Sequence, residues 1–135
     1  MIKVIYGAKG TGKTKMMIEA ANAAVKDAKG HLIFITDNKR CMYDLEREVR
    51  FIDVSDYDIA GEAAPCGFIK GVAAANNDNE YVYIDGVVRI AGKPASELSA
   101  FFFMLDKVSK DNNLTITVSV SAAKEELPEF VSKYI

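Results

Sequence analysis

Cysteine appears twice in 135 residues and histidine once, and no apolar run approaches the roughly 18 residues that a membrane span requires. Cys41 and Cys66 stand in no metal-ligand spacing and accompany no secretion signal. They therefore read as free thiols of a reducing cytosol rather than as a disulfide framework, and a cytoplasmic location is expected. The one histidine, His31, opens a strand beside Gly30 and reads as a strand end in solvent. Charge of one sign is also scarce: the net charge is −2 and the sequence pI about 5.4, so no positive field gathers nucleic acid or an anionic membrane. Neither is expected as a partner. No Pro/Gly/Ser linker, repeat or low-complexity tract divides the chain, and residues 1–135 are expected to form a single domain.

What is present is apolar and periodic. Half of the residues are hydrophobic, enough to offset the entropy of ordering a chain and to exclude a disordered one. Short β-branched runs at Lys3–Tyr6, Leu32–Thr36, Arg50–Val54, Tyr81–Asp85 and Leu114–Val120 alternate with stretches of helical character. The runs are mostly apolar on both faces, as buried parallel strands must be, so helices should cover both sides of one sheet. Helices are predicted from Lys13 to about Ala28 and over Lys39–Glu48, Gly61–Ala75 and Ala95–Lys110. In the last, Leu98, Phe101, Phe102, Leu105 and Val108 share a face that reads as core, with Ser96 as N-cap and Glu97 in the first turn. Past Ser121, a short helix from near Ala122 is predicted to be interrupted by Pro128.

The first strand runs into Gly7-Ala8-Lys9-Gly10-Thr11-Gly12-Lys13-Thr14, a G-x-x-x-x-G-K-T segment placed between a strand and a helix. Such a loop wraps phosphate with its backbone N–H groups, and Gly7, Gly10 and Gly12 permit the close approach that a Cβ would obstruct. The helix that follows points its positive end at the same anion. Lys13 adds a full charge, worth about 4 kcal/mol at contact for an effective dielectric near 20 before desolvation is subtracted. Thr14 offers a hydroxyl to Mg²⁺. Gly7, Gly10, Thr11, Gly12, Lys13 and Thr14 are the expected nucleotide contacts, with Lys9 read as a solvated loop residue.

Magnesium needs a second protein ligand, and Tyr81-Val82-Tyr83-Ile84-Asp85 provides one as an apolar strand ending in an acid, at the edge where open α/β sheets bind ligands. Thr14 and Asp85 are thus the expected metal side chains, and Lys13 and Asp85 those expected to carry any chemistry. Gly86 follows Asp85 where a water-polarising Glu would be needed for brisk hydrolysis. Glu80 lies at the opposite end of the strand. Asp37, Asp53 and Asp56 read as strand-end turns and caps. Ser119 and Ser121 would lie near the terminal phosphate if their strand lies beside the first. Arg40, Arg47, Arg50 and Arg89 are candidate phosphate or inter-subunit contacts.

The pair of segments Gly7–Thr14 and Tyr81–Gly86 resembles the Walker A and Walker B elements of P-loop NTPases. It is similar to those of short bacterial P-loop proteins labelled twitching-motility-type ATPases. A weaker similarity, carried by Leu32–Arg40, is to the nucleotide core of type II thymidine kinases, whose four-cysteine zinc lobe two cysteines cannot build. The resemblance implies an α/β chain of the three-layer α/β/α P-loop NTPase fold. Its mostly parallel sheet of about five strands would have RecA-like order, with the Ser119 strand between the strands of Gly7 and Asp85. It also implies that ATP, with GTP as the alternative, is held with Mg²⁺ for weak hydrolysis or as a nucleotide-dependent switch. A small-molecule or nucleoside kinase, and an interaction module that keeps the fold without catalysis, are the alternatives. A protein partner or a homo-oligomer is left open.

Overall fold

A computed structural model describes residues 1–135. Five strands, β1 (Ile2–Gly7), β2 (His31–Thr36), β3 (Val49–Asp53), β4 (Asn79–Ile84) and β5 (Thr115–Ser121), form one sheet in the order β1-β5-β4-β2-β3. Every neighbouring pair is parallel. The expected α/β class and strand order are what the chain adopts, with β5 inserted between the strand that leads into the glycine loop and the strand that ends at Asp85.

The helices are α1 (Lys13–Val25), α2 (Ala63–Ala75), α3 (Val87–Ala91), α4 (Ser99–Asn112) and α5 (Glu129–Ser132). They make three layers of unequal weight. On one side α2, α3, α4 and α5 join the strands in a cluster of 25 buried residues, centred on Phe101, Phe102, Leu105, Ile84, Ile116 and Val118. On the other, Met17 and Ala21 of α1 pack on Leu32, Phe34, Val49, Tyr83 and Cys41 in a cluster of seven. The stripe Leu98, Phe101, Phe102, Leu105 and Val108 is buried as expected. No helix is long and apolar enough to cross a membrane.

Several sequence expectations fail for local reasons. The helix predicted over Lys39–Glu48 is reduced to a 3₁₀ turn at Met42–Asp44. Twelve residues must return the chain along the sheet from Thr36 to Val49. A ten-residue helix would use nearly all of them to travel about 15 Å, leaving too few for the turns at both ends. Asn22 of α1 also holds this segment open, donating to the Asp44 carbonyl (2.9 Å) and accepting from the Glu46 N–H (2.8 Å).

Ser96 is not a helix cap. Ala95–Glu97 form a separate 3₁₀ turn after Pro94, and α4 starts at Ser99. Pro128 does not interrupt a helix from Ala122 but precedes α5, where its fixed φ of −68° suits a helix start. Ala122 instead bridges back to Gly7.

Strand β5 is apolar on one face only. Ile116, Val118 and Val120 enter the larger cluster, whereas Thr117 stands level with Tyr83 of the α1 side, and Thr115, Ser119 and Ser121 alternate with it. Two-faced burial therefore admits a row of hydroxyls where α1 and the site cover it.

Candidate phosphate and metal site

The carboxyl ends of β1, β4 and β5 and the first turn of α1 surround a cavity of about 490 Å³ lined, Cys41 apart, by glycines and by polar or charged residues. Gly10, Gly12, Lys13 and Thr14 come from the glycine loop, Asp85 and Arg89 from the end of β4 and from α3, and Ser119 and Ser121 from β5. Gly12 has φ 86°, a left-handed conformation that a side chain would strain, and it starts α1 without a capping side chain. The first N–H groups of α1 are consequently left for a ligand, at the positive end of the helix.

Lys13 is only 8% exposed and its ammonium donates to the Ala8 carbonyl at 2.9 Å, folding the charge back over its own loop. Burial holds it below the ordinary lysine value of 10.5; the Asp85 charge opposes that shift and the Arg89 charge adds to it. Thr11 donates to the same carbonyl (2.7 Å), so its hydroxyl serves the loop rather than the cavity. Gly7 likewise lies behind the lining, packed so closely on Thr11 that a Cβ there would meet its hydroxyl. Of the six expected nucleotide contacts, the structure brings Gly10, Gly12, Lys13 and Thr14 to the cavity and leaves Gly7 and Thr11 as its support. Lys9, read from the sequence as a solvated loop residue, lines the cavity.

Asp85 is 3% exposed. It accepts from the Thr14 hydroxyl at 2.8 Å and from the Ser119 hydroxyl at 2.6 Å, and Ser119 in turn accepts from the Gly86 N–H at 2.7 Å. Thr14 and Asp85, chosen from the sequence as metal side chains, are thus in direct contact, and the serine of the intervening strand ties them to the backbone after β4. One strand over, Thr36 keeps a buried hydroxyl with no hydrogen-bond partner. No group of three or more His, Cys, Asp or Glu side chains could hold a metal. A hydroxyl and a carboxylate beside a glycine loop and an uncapped helix start nevertheless fit Mg²⁺, which keeps waters and takes one or two protein ligands together with substrate phosphates.

Three further residues complete the lining. Arg40 and Asn38 come from the segment after β2, where the Asn38 side chain accepts from the Arg40 N–H at 3.0 Å. Cys41 sits beside them, its thiol raised by burial and then by the Asp85 charge. Arg89 is the strongest addition. It grips Asp37 through Nε (3.1 Å to Oδ2) and Nη2 (3.1 Å to Oδ1), while Nη2 lies 3.9 Å from Asp85. Burial alone would raise the Asp37 carboxyl, but the bonds and charge of Arg89 hold it below its ordinary value. From the sequence, Arg89 was one of four undistinguished arginines; nothing local marks the residue 52 positions away that pairs with it. Glu80 lies at the far end of β4, accepting from the Lys29 (3.0 Å) and Gly30 (3.2 Å) N–H groups. Asp53 caps the 3₁₀ turn after β3 and pairs with Lys39, as does Asp56.

No family description matches the chain, and no curated protein does. Among solved structures it is similar to the crystal structure of the flagellar accessory protein FlaH from Methanocaldococcus jannaschii. The TM-score is 0.58 and the identity 17%, covering 98% of this chain but 65% of that one, so the chain spans about two thirds of that protein's length. The likeness shows the fold, an α/β architecture built on a parallel sheet with helices on both faces.

Proposed function

We propose that this chain binds a nucleoside triphosphate together with Mg²⁺, ATP in the first instance and GTP as the alternative, and hydrolyses it slowly or uses it as a switch. The observation that carries this reading is the 2.8 Å contact between Thr14 and Asp85 inside a cavity that also holds Lys13 and the uncapped start of α1. A strand-to-helix turn with no ligand to bind has no reason to bury a lysine against a carbonyl of its own loop.

The division of labour follows from the residues. The N–H groups at the start of α1 meet phosphate oxygens, and Lys13 exchanges the Ala8 carbonyl for them, recovering part of its desolvation cost. Thr14 and Asp85 hold the metal, which when bound neutralises charge on the phosphate oxygens. Asp85 is already committed to two hydroxyls, and Gly86 has no side chain with which to polarise water. Turnover is therefore slow unless a partner or second copy supplies the missing group.

Thermal unfolding with and without Mg²⁺ and nucleotide tests the proposal. At 100 times Kd a bound ligand stabilises by about 2.7 kcal/mol, a shift of several degrees, and Lys13→Ala should abolish it. No shift with ATP, GTP, ADP or GDP would refute the reading.

A second reading, phosphoryl transfer to a small acceptor, draws support from a neighbouring cavity of about 430 Å³ lined by Asp37, Ser55, Asp58, Ile59 and Arg89. Label from the terminal phosphate of ATP appearing in an organic acceptor rather than in free phosphate would favour it.

A further inference from the structure

Gly86 raises a question that its sequence position alone does not answer: what occupies the space that a side chain there would fill? A Cβ built at residue 86 would lie 2.2 Å from Nη2, 2.4 Å from Cζ and 2.8 Å from Nη1 of Arg89. The guanidinium lies against the residue immediately after Asp85, in the volume a larger residue would need. The short helix α3 puts it there. Gly86, with φ 86°, turns the chain out of β4, and the first helical turn brings Arg89, three positions on, back over the strand end.

Arg89 is also shared. It lines the phosphate cavity with Lys13, Thr14, Asp85 and Ser119, and it lines the second cavity with Asp37. Its present partner is the Asp37 carboxylate, yet its side chain is 44% exposed and so has room to move. Two oxygens of a tetrahedral phosphate offer a guanidinium the same forked pair of acceptors as a carboxylate, with more charge. Position selects which phosphate: Arg89 stands on the Asp85 side of the cavity, where Thr14 and Asp85 would hold a metal beside the outer phosphates of a triphosphate.

We propose that Arg89 reads the terminal phosphate from within the same chain, exchanging bonds to Asp37 for that phosphate when a triphosphate, but not a diphosphate, fills the cavity. This rests on the nucleotide reading above. It gives Gly86 a purpose, since the site has a cation where a general base would otherwise project. It also makes the wall between the two cavities dependent on the nucleotide, because Asp37 loses its partner when Arg89 turns.

The test is titration of the full chain with ATP and with ADP, each with Mg²⁺, for the wild type and for Arg89→Ala, Arg89→Lys and Asp37→Asn. Arg89→Ala should weaken ATP about tenfold or more, the loss of a charged hydrogen bond to phosphate, and leave ADP within about twofold. Arg89→Lys should recover part of the loss as a point charge without the fork. Asp37→Asn, which releases the guanidinium, should increase the preference for ATP over ADP. Equal weakening of both nucleotides by Arg89→Ala, or no change in either, overturns the proposal while leaving nucleotide binding intact. A wild-type protein that binds neither nucleotide would overturn the underlying reading and this one with it.

Discussion

Two aspartates lie at the carboxyl ends of β3 and β4, 4% and 3% exposed, and their surroundings differ in kind. Asp53 is closed by a cation. Lys39 donates to it at 2.8 Å, and the Ser55 N–H and hydroxyl add bonds at 2.9 and 2.7 Å. Burial would raise its carboxyl, but these partners bring it below its usual value. Asp85 has only hydroxyls within hydrogen-bond reach, from Thr14 and Ser119, and the guanidinium nitrogen of Arg89 stands off at 3.9 Å. A hydroxyl can rotate to accept as readily as it donates, so it yields its place to a ligand at small cost, whereas a lysine ion pair does not. A strand-end carboxylate closed by a cation has finished its work in the fold. One held by hydroxyls, as Asp85 is, stays open to a further partner, as the proposed function requires.

Substitutions that remove the charge without changing the shape can break this comparison. Asp85→Asn should have the largest effect, lowering Mg²⁺–ATP affinity by at least about 100-fold, about 2.8 kcal/mol at about 1.4 kcal/mol per decade. The free protein should melt at the same temperature or higher, because a buried charge whose nearest cation stands off at 3.9 Å has been removed. Asp53→Asn should do the reverse. A loss of about 2 kcal/mol in urea unfolding is expected from the weakened Lys39 and Ser55 bonds, with nucleotide affinity held within about twofold. Ser119→Ala touches both roles, leaving the Gly86 N–H without its acceptor, and should cost about 1.5 kcal/mol of stability.

Acidification gives the smallest expected effect. The Asp37 carboxyl is depressed below its usual 3.8, so the Asp37–Arg89 pair stabilises the protein above about that pH and ceases to do so as pH falls through the lower, folded value. The pair is partly exposed, so the difference in stability between wild type and Asp37→Asn should be under about 1 kcal/mol at pH 7 and shrink below pH 4.

Most of the sheet was legible because parallel buried strands are short, continuous apolar runs. Tyr81–Ile84 and Leu32–Thr36 announce themselves, as does the α4 stripe through Phe101 and Leu105. The glycine loop was legible because its residue types are dictated by its geometry. Helix α3 was not, since five residues from Val87 to Ala91 span too little chain to show a period. Arg89 escaped with it, because its meaning lies in Asp37 and in the backbone of Gly86. The segment after Thr36 misled for a different reason: Lys39–Glu48 has helical composition, but Lys39 is occupied by Asp53 and Asp56 and Asn22 holds the backbone near Glu46. In each case the deciding partner is distant in sequence.

Strand β5, lodged between β1 and β4, is a shim. Each step across a sheet is about 4.8 Å, so the two jaws of the cleft, glycine loop and Asp85, are held apart by a gauge made of backbone hydrogen bonds. Changes in the surrounding loops can alter what the jaws look like but not how far apart they stand. The adjustable parts are the two small side chains on top of the shim, Ser119 and Ser121, and anything bulkier there would fill the gap between the jaws.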